Sequence, residues 1–169
     1  MKINRNWIYS LASLLAFSYL MQWQGAALKN PWTPMGIVHL EFAPSREIFQ
    51  SIIKKWDLNT LKWNIILDFL YIPIYTYFFQ YTLRLLAKMH RSRLVQNLGL
   101  LLIQVMIFAF ICDVFENIGM LTSLYLHSAT WIYTLTSWMA GIKFLILSTC
   151  LIYIIVSIPA AFLSAKQEP

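Results

Sequence analysis

Two acids stand where hydrocarbon is expected. In "ICDVFENIGM", residues 111–120, Asp113 and Glu116 interrupt a run in which Gln104 is the one strongly polar side chain between Leu98 and Cys112. Asn117 follows, so the three groups fall at i, i+3 and i+4, on one face of a helix. A second stripe with helical spacing passes through Asn64, Asp68, Tyr71 and Tyr75. A base, Lys143, interrupts another apolar run, with Thr136 one heptad before it and Cys150 one after. A charge at the bilayer centre costs at least ~2.5 kcal/mol on insertion scales, so such groups turn to a protein interior and pair. Three acids against one base leave a surplus of two carboxyl groups. Asp113 and Glu116 are the candidate acid/base pair, with Asp68 beside them. Asn64, Tyr71, Tyr75, Asn117 and Lys143 are the candidate ligand-binding groups. A cluster of this kind can exchange protons, seat a cation or a cationic headgroup, or clamp helices together.

Other chemistries lack their motifs. His39, Glu41, Asp68, Asp113, Glu116 and His127 could gather toward one side, but none has the HExxH pattern or the i, i+4 histidine spacing of a metal site. No metal and no cofactor is expected. Serine-nucleophile and phosphate-loop patterns are absent. Cys112 and Cys150 have no CxxC spacing and read as small buried hydrophobes.

The elements that position the cluster follow from composition. The 169 residues are 59% hydrophobic and only 12% charged, about half the charge of a soluble domain. Most of the chain must therefore be solvated by lipid. The net charge of +6 concerns membrane surfaces; no basic groove or nucleic-acid motif accompanies it. Four apolar segments reach the ~20 residues that span a bilayer, at about 7–28, 63–86, 94–121 and 131–163. The last is long for one perpendicular crossing. Lys2 and Arg5 precede the first segment in the manner of a signal peptide. Its length and its Tyr9, Tyr19 and Trp23 favour a retained helix.

Residues 29–62 form the one sizeable connection. "NPWTPMG" is irregular, and "IVHLEF" alternates like a short strand with His39 and Glu41 on one side. Ser45 is placed to cap a helix over about 45–58. Its apolar face of Ile48, Phe49, Ile52, Ile53 and Trp56 suits the membrane surface or the mouth of a bundle. Arg84, Lys88, Arg91 and Arg93 crowd the connection between the second and third segments, Lys2, Arg5 and Lys166 lie in the tails, and "TSLYLHSAT" has no Lys or Arg. The positive-inside rule then puts both termini in the cytoplasm. Five basic residues in the first connection weaken that bias, and three acids share the segment. Trp23, Trp32, Trp56, Trp63, Trp131 and Trp138 gather toward the outer interface.

"LEFAPSREIFQSIIKKW", "ILDFLYIPIYTYFF", "DVFEN" and "GIKFLIL", taken in order, resemble a family of small four-helix bacterial membrane proteins. The resemblance implies the bacterial inner membrane and marks Asp68, Asp113, Glu116, Asn117 and Lys143 as the polar positions; it implies no chemistry. "ILDFLYIPIYTY" is similar to a stretch in the emopamil-binding-protein-like sterol isomerases and the sigma-2 receptor, which implies an intramembrane pocket for sterols or amphiphilic amines.

The expected fold is an all-α membrane protein of 1–169, a single four-helix transmembrane bundle with an interfacial helix in its extracytoplasmic connection. The expected function is binding of a membrane lipid or hydrophobic small molecule in an outer-leaflet pocket, with modification of that ligand left open. The alternative is a structural or accessory subunit, as a homo-oligomer or beside a partner membrane protein, whose charges only hold helices together. No nucleic-acid partner is expected.

Overall fold

The computed structural model describes residues 5–126 and 128–165, with side chains up to 159. Lys2, His127 and Lys166 lie outside the described residues or side chains. Among those described, the chain forms α1 (Arg5–Gln24), a 3-10 turn (Gly25–Leu28), α2 (Ile37–Glu41), α3 (Arg46–Ile53), α4 (Leu58–Met89), α5 (Arg93–Tyr125) and α6 (Thr130–Ala165). Two of these, α5 and α6, are long and apolar enough to cross a membrane. Their outward faces carry exposed Ile107, Phe108, Phe115, Leu145 and Ile155, a surface that water would not solvate.

The helices meet around α4, which touches α1, α5 and α6, while α5 also packs along α6. Trp7 Nε1 donates to Thr82 Oγ1 at 3.1 Å and Gln24 Nε2 to the Thr60 carbonyl at 2.8 Å, so α1 is tied to α4 at both ends. Close approach needs small residues. A Cβ at Gly25 would come within 2.9 Å of Asn64 Nδ2, which fixes how tightly the 3-10 turn lies on α4.

No strand forms among the described residues, and the expected strand over "IVHLEF" is corrected to the short helix α2. Gly36 turns the chain into it with φ of 61°, a left-handed conformation that costs glycine little. Five residues are too few to display a helical period, so the alternation was accidental. Leu40 and Glu41 are both buried, while His39 is only partly so.

Ser45 does cap α3, accepting from the Ile48 amide. The helix is shorter than 45–58 because the chain turns after Ile53 and α4 starts early. Asp57 accepts from the Thr60 amide at 2.7 Å and so caps α4 at Leu58. Phe49, Ile52 and Ile53 of α3 are buried with Trp56 against Leu61, Met120 and Tyr133, while Ile48 stays exposed. Thr134 Oγ1 donates to the Pro44 carbonyl at 3.0 Å. The connection therefore closes one end of the helix bundle. Trp56 belongs to this cap and donates to Thr33 Oγ1 at 3.3 Å. Trp23, Trp32, Trp63, Trp131 and Trp138 are instead exposed.

The core has two apolar parts. One lies under the cap and includes Ile65, Met120 and Tyr133. The other runs toward the α4–α5 turn and includes Ile72, Met106, Ala109 and Cys150. Asp68, Asp113, Glu116 and Lys143 fall between them on their respective helices. The polar residues thus form a layer with hydrocarbon on both sides.

Candidate functional site

Lys143 is the centre of that layer. Its Nζ lies 2.9 Å from Asp113 Oδ1, 3.0 and 2.9 Å from the two Glu116 oxygens, and 3.4 Å from Glu41 Oε2. The Phe144 ring lies 4.9 Å from the same nitrogen. All four charged side chains are at most 8% exposed. An ammonium has three donors, and three carboxylates surround this one.

Each partner is held from its own helix. The helical spacing of Asp113, Glu116 and Asn117 turns all three inward from α5, and all are at most 2% exposed. Tyr75 of α4 donates to Asp113 Oδ2 at 2.6 Å. Asp68, one helical stripe away, does not reach Lys143. It accepts from Asn117 Nδ2 at 2.7 Å, and Asn117 Oδ1 is left without a partner. Tyr71 stacks edge-on with Tyr75 at 5.5 Å and shares a 2.8 Å hydrogen bond with Ser18 of α1. Asn64 sits apart, bonded to Gln24 at 2.5 Å.

Glu41 is also at the cluster, as a partner of Lys143 and not as the metal ligand that its grouping with these acids in the sequence suggested. Its signal resembles that of Asp113: an acid in a mainly apolar stretch, "GIVHLEFA". The misread strand concealed that pairing. The α2 helix brings Glu41 over the layer, where Phe42 stacks on Phe144 at 5.6 Å. Burial raises the Glu41 carboxyl above its ordinary pKa; Lys143 pulls it down and nearby Asp113 pushes it up again.

Four acids and one base would sum to −3 if all were ionised, counting Glu41, Asp68, Asp113 and Glu116 against Lys143. A buried layer does not tolerate that charge. Bound protons or a cationic ligand must reduce it.

A cavity of about 340 Å³ opens from the layer between α4 and α6. Glu41, Asp68, Asp113, Lys143, Tyr71 and Tyr75 form its polar end. Phe79, Phe144, Leu147, Ser148 and Leu151 line the remainder, and Leu151 is half exposed. From Lys143 to Leu151 the α6 wall runs ~12 Å at 1.5 Å per residue. Glu116, Asn117 and Asn64 do not line this space. Another cavity of about 400 Å³ lies between α1 and α4, against Tyr9, Ser13 and Pro73, and has no acid or base in its wall.

Among the described residues no three His, Cys, Asp or Glu side chains converge as metal ligands. His39 lies beside the cap with Nδ1 buried and unpartnered. Cys112 and Cys150 are free thiols, both buried.

No protein-family model matches the chain, and no curated protein and no solved structure matches it either. What the site does must be read from its own chemistry.

Proposed function

We propose that the chain is a four-span integral membrane protein of the cell membrane that binds an amphiphile in the α4–α6 cavity. The polar end of that ligand donates hydrogen bonds to Asp68, as an amine does. The observation that carries this reading is a single cavity with an acidic closed end and an apolar flank open to the side. Such a shape takes a polar head and an aliphatic tail together. Asp68 is the lining carboxylate that Lys143 does not hold, so it retains acceptor capacity for a ligand. A cation there would offset the negative surplus of the layer.

In this reading α1 and α4 cross beside α5 and α6. Support comes from the bonds of α1 to α4 and from exposed Leu15, Tyr19, Leu70 and Tyr77 on their outer faces. The α4–α5 turn and both termini face the cytoplasm, and the 29–57 connection caps the outer end with Trp32, Met35 and Ile48 toward the headgroups. Should chemistry follow binding, Asp68, Asp113 and Glu41 are the carboxyl groups that the ligand meets. Glu116 acts behind them by fixing Lys143.

The test is native mass spectrometry of gently solubilised protein with lipid extraction, comparing wild type with Asp68→Asn and Leu147→Trp. The expected result is one defined amphiphile on the wild type, lost from both variants while they stay folded. A wild type with no ligand, or a ligand held equally by both variants, would favour the structural reading. That second reading has its own observation, the saturation of Lys143 by three carboxylates. In it the layer joins α2, α4, α5 and α6, and function belongs to a partner membrane protein or a homo-oligomer.

A further inference from the structure

We propose a second site, for an anionic phospholipid, in the groove between α5 and α6 beside the α4–α5 turn. A cavity of about 430 Å³ lies there. Val95, Leu98 and Leu102 of α5 and Ile152 and Val156 of α6 make it an acyl-chain groove, and His90 stands at its turn end. His90 Nε2 is buried and lacks a hydrogen-bond partner among the described residues. Its ring is held edge-on to Tyr153 at 6.0 Å, and the Tyr153 hydroxyl donates to the Val95 carbonyl at 3.1 Å. The imidazole is therefore positioned but its buried Nε2 is not satisfied. A buried polar atom left this way costs free energy until a ligand meets it.

The surroundings select the charge of that ligand. Arg84, Lys88, Arg91 and Arg93 are all exposed around the turn. No acid occurs between Asp68 and Asp113 in the sequence, so neither the turn nor the adjoining ends of α4 and α5 bring a carboxylate to these cations. Ser92 supplies no side-chain cap to the first turn of α5, whose amide groups favour an anion at the same end. A phosphate next to His90 with its acyl chain along Ile152 and Val156 satisfies the nitrogen, the cations and the groove at once. Zwitterionic lipid fills the groove equally well but brings a compensating positive charge. The site shares with the amphiphile cavity only the premise that α5 and α6 lie in lipid.

The experiment titrates protein in a neutral detergent with dioleoyl phosphatidylglycerol or dioleoyl phosphatidylcholine and counts bound lipid by native mass spectrometry. Wild type is expected to retain the anionic lipid several-fold over the zwitterionic one. Removing basic groups with His90→Ala and Arg91→Ala together should reduce that preference by about five-fold or more. Val156→Trp or Ile152→Trp, at exposed groove positions, should lower retention of the anionic lipid with every charge kept. Equal retention of both lipids by wild type would overturn the proposal. So would a loss confined to the charge variant, since diffuse attraction to the basic turn needs no groove.

Discussion

The α6 helix lines two cavities of comparable size and opposite electrostatic design. Near Lys143 the ion-paired groups Glu41, Asp113 and Glu116 are inside, at most 8% exposed, and held by the lysine, with Asp68 partly buried beside them. Near Tyr153 the charged groups are exposed on the adjoining turn and helix ends, and the cavity wall itself carries only His90 among ionisable bases. Buried charge must be paired or the helices cannot assemble. Exposed charge stays solvated and leaves the fold nearly untouched. One lining therefore couples binding to folding, and the other separates them.

That contrast is most severely tested at Lys143. Lys143→Met strips the counter-ion from Asp113, Glu116 and Glu41, and removing one partner of a buried ionic group costs about 3–5 kcal/mol. The expected outcome is loss of folded protein in size-exclusion profiles, or a large fall in Tm. Exchanging the charges, Asp113→Lys with Lys143→Asp, should restore only part of the stability, because an acid at 143 would face Glu116 and Glu41. A Lys143→Met protein that melts like wild type would mean that the layer is wet and the comparison false.

Tyr75→Phe should have a smaller effect. It keeps the ring packing and removes the donor to Asp113 Oδ2, and leaving a buried acceptor without its donor costs about 1–3 kcal/mol. Thermal unfolding in detergent would measure it.

Asp57 comes next. Thr60 hydrogen bonds hold its carboxylate below the ordinary 3.8. A depressed folded value means that its contribution is fully present above pH 3.8 and disappears as pH falls through the lower folded value. Wild type should thus lose a small increment of Tm there that Asp57→Ala does not lose, while Asp57→Ala should melt slightly lower at pH 7.

The smallest effect belongs to the turn. Arg91→Ala should change stability by no more than about 0.5 kcal/mol, as surface substitutions do, even though it weakens anionic-lipid binding.

The polar face of α5 was readable because i, i+3, i+4 spacing survives any tertiary context, and the same holds for Asp68, Tyr71 and Tyr75 on α4. The pairing of Asp113 with Lys143 needed only the rule that buried charge seeks its opposite. The pairing of Glu41 with Lys143 was not readable, because a five-residue helix has no period and its position depends on Gly36 and on Phe42 packing against Phe144. Nor could spacing say where the apolar face of α3 goes. Phe49, Ile52 and Ile53 produce the same pattern whether they meet lipid or, as here, Met120 and Tyr133. The early start of α4 depended on Asp57, a capping residue in a polar stretch where several candidates compete.

The central claim is that the acidic cavity holds a cationic amphiphile through Asp68. Its most direct test compares the shift in Tm produced by a long-chain primary amine with that produced by the alcohol of equal chain length. The experiment uses wild type and Asp68→Asn in the same neutral detergent. The account predicts that the amine stabilises wild type, that the alcohol does so much less, and that Asp68→Asn folds but loses the difference. Equal shifts from amine and alcohol, or an amine effect that persists in Asp68→Asn, would contradict it and leave the layer as a joint between helices.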